Sequence, residues 1–213
     1  MKKTILNYNK MKNIFSNYVL AVTTMTLLVA CGGRSTQETS TANMHAEHAT
    51  ADSTVLAAGE PQFQVDKTFQ EHLARTFGGY LKMKDAFVNS DAQAVKAEAK
   101  NLKATLKAVD TKMLSGAALN DWANYSNNLD MSLAEITGSD DIEAQRASFS
   151  ALSENFYRSI RAYGLGGPTA YYEFCPMAFN DQGAYWLSDS RQIRNPYFGD
   201  KMLTCGRVTE ELK

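Results

Sequence analysis

The chain has 213 residues, with 22 lysine and arginine side chains against 23 aspartate and glutamate and a formal charge of −1. That balance, with basic residues spread among acids, excludes a nucleic-acid surface, which needs a concentrated positive patch. Three cysteines do not supply the four thiolates of an iron–sulfur centre, and no Cys-x-x-Cys-His string for haem attachment occurs.

Lys2, Lys3, Lys10 and Lys12 precede an apolar run from Tyr18 to Ala30 that ends in Leu28-Val29-Ala30-Cys31. A basic head, a short apolar stretch and small residues before a cleavage point predict a secretory signal over 1–30, too short for a membrane span. The Leu-Val-Ala-Cys string resembles a bacterial lipobox, whose cysteine becomes the lipid-bearing first residue. That resemblance makes Cys31 the lipid attachment point and membrane lipid a partner. It implies a cell-envelope protein facing the periplasm or the outer surface. An ordinary signal followed by a free thiol is the competing reading. Loss of four lysines and no acid would take the charge from −1 to about −5.

Residues 31–63 are expected to form a flexible tether, since Gly32 to Gly59 carries no aromatic residue and little to bury. Within it Met44, His45 and His48 bring soft and imidazole donors together. Such a fragment would hold copper or zinc weakly, because a disordered chain loses entropy on closing around an ion. A polar tether with incidental histidines is the plainer reading.

Residues 64–165 show four segments with apolar residues at helical spacing. The first carries Phe69, Leu73, Phe77, Tyr80 and Phe87, with Gly78-Gly79 offering a bend or a close neighbour. The second carries Ala92, Val95, Ala99, Leu102, Leu106, Val109 and Met113, with Ser90 and Gln93 at capping-box spacing. Its lysines 96, 100, 103 and 107 fall on a solvated face. The third, entered after Ser115 and closed by Gly138, offers Trp122, Leu129, Leu133 and Ile136. The fourth opens on Asp140 and Glu143 as a second capping box. It buries Ile142, Phe149, Leu152, Phe156, Ile160 and Tyr163 before Gly164. Short connections favour antiparallel neighbours. The expected fold is mainly α: an antiparallel four-helix bundle with a C-terminal aromatic-rich subdomain of loops and short strands. Met83, Met113 and Met131 are assigned to core filling. His72 lies at the margin of the first stripe, where packing is its plain role. It becomes an additional metal ligand if the C-terminal segment docks against this helix.

Residues 166–213 lose the helical stripe and fill with aromatics, turns being marked at Asn180 to Gly183 and at Asn195-Pro196. Extended pieces are expected near Tyr171 to Phe174, Tyr185 to Leu187 and Arg207 to Glu210. Cys175 and Cys205 each have a methionine within three residues, Met177 and Met202. Two readings compete. A disulfide is the ordinary fate of two cysteines in an oxidising compartment. Two thiolates flanked by thioethers instead suit a soft ion, Cu(I) above zinc, since zinc is poorly served by thioethers.

Cys175-Pro176-Met177-Ala178, Gly183, Trp186-Leu187, Ile193, Asn195-Pro196-Tyr197-Phe198-Gly199, Met202 and Cys205-Gly206 stand together at fixed spacings. This string resembles a bacterial domain-of-unknown-function family found in small envelope lipoproteins and appended to periplasmic adaptor subunits of copper and heavy-metal efflux pumps. Cys175-Pro176-Met177 is also similar to the Cys-Pro-Met-His start of short metal-binding modules on such adaptors, with Ala178 in place of the histidine. The resemblance implies metal storage, transfer or resistance without catalysis, with an efflux-system component as a partner. Cys175, Met177, Met202 and Cys205 are the expected metal ligands. The alternative is a disulfide-stapled protein-interaction module with no metal. An enzyme has little support: no nucleophile has a histidine partner, and Glu173, Asp181 and Asp189 read as solvated loop acids.

Overall fold

The computed structural model describes residues 55–213. The expected signal over 1–30, the lipid-bearing Cys31 and the tether donors Met44, His45 and His48 lie outside them. The described part is mainly helical with one small sheet, and helices and strands share a single hydrophobic core.

Helix α1 (Lys67–Val88) opens on Asp66, whose carboxylate accepts the Thr68 amide at 2.7 Å. The whole expected stripe of α1 is buried, joined by Met83 and, unexpectedly, Lys84. Gly79 marks a close approach: a Cβ there would sit 3.2 Å from Leu102 Cδ1 on helix α2 (Ala92–Lys107). Asp91, not Ser90, caps α2, accepting the amides of Gln93 and Ala94 at 3.1 and 2.9 Å. Ser90 instead takes a left-handed φ of 54° in the connecting turn. Lys96 and Lys103 of α2 are not merely solvated, since they reach Asp140 and Asp130 at 2.5 and 3.0 Å.

Helix α3 (Gly116–Gly138) buries Trp122, Leu129, Leu133 and Ile136 as expected. Helix α4 (Ile142–Tyr163) is capped by Asp141, which accepts the Glu143 amide at 2.9 Å, while Asp140 is taken by Lys96 and Gln93. Two core methionines are corrected: Met113 is 63% exposed and Met131 64% exposed. Helix α2 stops at Lys107, so the extrapolated stripe runs out before Met113; Met131 lies on the outward side of α3. Helix α1 packs on α2, α3 on α4, and α2 on α3, with a lighter contact between α1 and α4. Inside, Tyr80 lies against Phe77, Phe149 and Phe156, and Phe69 against Trp122 and Tyr163.

The sheet runs in the order β1-β4-β2-β3, from β1 (Leu56–Ala57), β2 (Ala170–Cys175), β3 (Ala184–Ser188) and β4 (Arg207–Leu212). Strand β2 is antiparallel to both neighbours, with Glu173 opposite Trp186 and Cys175 opposite Ala184. Strand β1 comes from the segment expected to be tether. It pairs parallel to β4, and Phe63 stacks on Tyr163 with centroids 5.4 Å apart, so the ordered chain reaches further back than residue 64. The pairing rests on main-chain bonds, Ala58 N–H to Glu211 O among them, which composition does not reveal. Edge strand β3 is covered by two phenols. Tyr80 Oη accepts the Leu187 amide at 3.1 Å, and Tyr197 Oη donates to the Tyr185 carbonyl.

Candidate metal centre

Alternation along β2 puts Cys175 on the same face as Glu173, and the side chain of Cys175 is fully buried. Cys205 arrives from the other end of the segment, in a turn closed by its own amide on the Met202 carbonyl at 3.0 Å. Gly206 makes that arrival feasible. Its φ is +148°, and a Cβ would lie 2.8 Å from the Trp186 ring and 3.1 Å from the Phe174 carbonyl. Only a residue without a side chain passes there. Both thiols are free, and their sulfurs stand 3.2 Å apart, with Cys205 the more accessible of the two.

The methionines share a cleft of their own. Met177, 45% exposed, and Met202, half-buried, line one open cleft of about 480 Å³ together with Glu143, Arg146, Phe179 and Tyr197. Its lining includes neither cysteine. After Met177 the chain makes a left-handed turn in which Phe179, Asn180 and Asp181 all have φ between 53° and 64°. Non-glycine residues hold that conformation at a cost of about 1–2 kcal/mol each. The geometry thus brings the two thiols together and the two thioethers to a common cleft.

His72 Nδ1 lies 3.2 Å from the Ala108 carbonyl at the end of α2, to which it donates in the Nδ1–H tautomer. Among the described residues no group of three or more His, Cys, Asp and Glu side chains gathers as a metal site, so His72 does not join the cysteine pair.

The electrostatics favour uncharged forms. Cys205 is raised above the usual thiol range, first by its contact with Cys175 and then by burial. Glu173, expected to be a solvated loop acid, is fully buried, and neither carboxyl oxygen has a hydrogen-bond partner. Burial pushes it up to about 8, with Lys84 pulling the other way and Asp189 adding to the rise. The Trp186 indole faces this carboxyl and lowers its pKa without closing a hydrogen bond, and the indole N–H is itself unpartnered. Asp181 and Asp189 are exposed, as expected.

Sequence reasoning missed three further residues: Glu173 as an interior acid, and Arg146 and Asn195 as buried polar groups. Arg146 follows the fully buried Gln145 on the inward side of α4. Its signal was a charged residue one helical turn before Phe149, on the inward face.

Residues 76–166 match the family model DUF3347, described as a protein of unknown function. No curated protein and no solved structure matches the chain. The DUF3347 match runs from the middle of α1 through α4 and ends before β2. Cys175, Met177, Met202 and Cys205 therefore lie beyond it.

Proposed function

We propose that this chain is a lipid-anchored envelope protein that takes up Cu(I) as cargo through Cys175 and Cys205, with Met177 and Met202 flanking the pair. The carrying observation is that two thiols 30 residues apart in sequence come to 3.2 Å, while the methionines that follow or precede them in the chain, Met177 and Met202, line one cleft. The donor set fits a soft ion: thiols and thioethers, with the nearest buried carboxyl uncharged near neutral pH. Two thiolates on one metal stand about 3.8 Å apart, from tetrahedral geometry and a metal–sulfur distance of about 2.3 Å, against about 2.05 Å in a disulfide. The observed separation lies between, so a small side-chain rotation reaches either.

The role is storage, transfer or resistance, without catalysis, at the membrane face of a metal efflux system. Its support is the C-terminal motif string and the lipobox-like Cys31. The helices are read as an antiparallel four-helix bundle, supported by their three short connections and sequential packing. Residues 64–165 and 166–213 are read as bundle and metal-binding subdomain.

A second reading is a disulfide staple in a protein-interaction module. The raised Cys205 thiol and the full burial of Cys175 favour it, and closing a 31-residue loop would stabilise the fold by about 3.7 kcal/mol. Thiol counting without reductant separates the two readings. Anaerobic Cu(I) titration against a competing chelator then tests the first. Cys175→Ser and Cys205→Ser are expected to abolish tight binding, and Met177→Leu and Met202→Leu to weaken it about tenfold or more, roughly the loss of one soft donor. Tight binding that survives both cysteine substitutions would falsify the assignment.

A further inference from the structure

The loop from Asn195 to Cys205 carries half of the sulfur set, and it is held by buried polar groups. Asn195, with no exposed surface, closes the loop on itself. Its Nδ2 donates to the Cys205 carbonyl at 2.8 Å and its Oδ1 accepts the Tyr197 amide at 2.8 Å. Its own amide donates to the Leu203 carbonyl at 2.8 Å, and its carbonyl accepts the Gly199 amide at 3.1 Å. Asn195 therefore fixes the shape of the loop, but not its seat on the molecule.

Tyr197 ties the loop to β3 through the Tyr185 carbonyl, and Arg146, on α4 and 4% exposed, seats it against the helices. Its Nε donates to the Pro196 carbonyl at 2.9 Å, within the loop. Its Nη2 donates to Ser90 Oγ at 2.9 Å and to the Phe87 carbonyl at 3.4 Å, at the end of α1. Its Nη1 meets Glu143 at 2.6 Å, one turn back on α4. Loop and helix end meet without slack. Gly199 has φ +55°, and a Cβ there would stand 2.5 Å from Ser90 Oγ and 2.8 Å from the Val88 carbonyl.

We propose that Arg146 is the positioning residue of the thiol pair: one guanidinium joins α4, the end of α1 and the 195–205 loop. Together with the β2–β4 pairing that holds Arg207 opposite Phe174, it thereby sets where Cys205 stands relative to Cys175, which hangs from β2. The planar fork serves acceptors in three directions at once. A lysine ammonium on a flexible stem delivers charge to the same place without that geometry. A buried charge is a poor source of stability, and a well-packed apolar residue would serve a core better, so the fork is kept for the geometry it imposes. This inference rests on the reading of Cys175 and Cys205 as the functional centre.

The test reads the pair directly. In glutathione buffers the two thiols give up two hydrogens to glutathione disulfide, forming the Cys175–Cys205 bond and two glutathione thiols. The equilibrium, followed by thiol trapping and mass spectrometry, gives the effective concentration of one cysteine at the other. Arg146→Lys and Arg146→Gln are expected to lower it about tenfold or more, and Ser90→Ala, which removes one acceptor only, about threefold. Leu152→Ala, a core cavity on the side of α4 that faces Leu102 and Leu106 of α2 and Leu129 and Leu133 of α3, is expected to leave it within about twofold despite a lower melting temperature. The inference is overturned if Arg146→Lys equals the parent, or if Leu152→Ala lowers the value as much as Arg146→Lys does. Ser90→Ala and Arg146→Lys carry the test should Arg146→Gln not fold. Cu(I) affinity is measured on the same variants and is expected to fall in the same order. An unchanged Cu(I) affinity with a lowered effective concentration overturns the copper reading and leaves the positioning role standing.

Discussion

Glu173 places an acid in the interior with Lys84, Trp186, Asp189 and Tyr80 as its electrostatic neighbours. Burial lifts its pKa from the ordinary 4.5 to about 8, so across that interval the folded chain holds a proton that the unfolded chain has released. Stability of the metal-free protein therefore falls as pH rises through this window and levels off above it. Glu173→Gln keeps the shape and removes the ionisation. It is expected to match the parent near pH 5 and to exceed it near pH 8.5, as chemical denaturation at the two values will show. Equal pH slopes in parent and variant would contradict the buried, protonated acid. Gly206 makes a second residue-scale prediction. Gly206→Ala drives a methyl into the Trp186 ring and the Phe174 carbonyl. It is expected to cost about 1–3 kcal/mol, the range for overpacking, and to separate the two sulfurs, seen as slower disulfide formation under mild oxidant.

Among the elements, strand β3 depends on a hydroxyl supplied by a helix. Tyr80 Oη accepts the Leu187 amide and also bonds Ser153 Oγ at 2.7 Å, tying α1, α4 and the sheet edge at one point. Tyr80→Phe leaves the Leu187 amide and the serine without that partner, a loss of about 1–3 kcal/mol. Hydrogen exchange at Leu187 is expected to accelerate beyond the global change; exchange that merely tracks overall stability would show that Tyr80 is not the cap. The helices themselves were legible in the chain because their stripes obey one period over many residues, as Phe69 to Phe87 illustrates. The caps fall one residue later than the spacing indicates, on Asp91 and Asp141 in place of Ser90 and Asp140, since serine and aspartate neighbours compete for the same role. Strand β1 was illegible: two residues held by main-chain bonds leave no pattern.

At the scale of the molecule, the sheet and the helices share one core, and the DUF3347 match runs from the middle of α1 through α4 while the sulfur residues lie beyond it. Trp122 reports from α3 and Trp186 from β3, both buried. Single-tryptophan variants are expected to unfold with coincident denaturant midpoints. Separate midpoints would mean that the strands fold on their own. The meeting of Cys175 and Cys205 was visible as an expectation from the motif string. What braces it, Arg146 reaching from α4 to Pro196 and to the end of α1, depends on long-range contacts that no local spacing encodes.

The central claim is that these two thiols form a soft-metal centre. X-ray absorption at the copper edge, on reduced protein loaded with one equivalent of Cu(I), reads the donor atoms directly. Sulfur scatterers alone are predicted in the parent, with the shell lost in Cys175→Ser and in Cys205→Ser. A nitrogen or oxygen shell, or a sulfur shell unchanged in both variants, would contradict it.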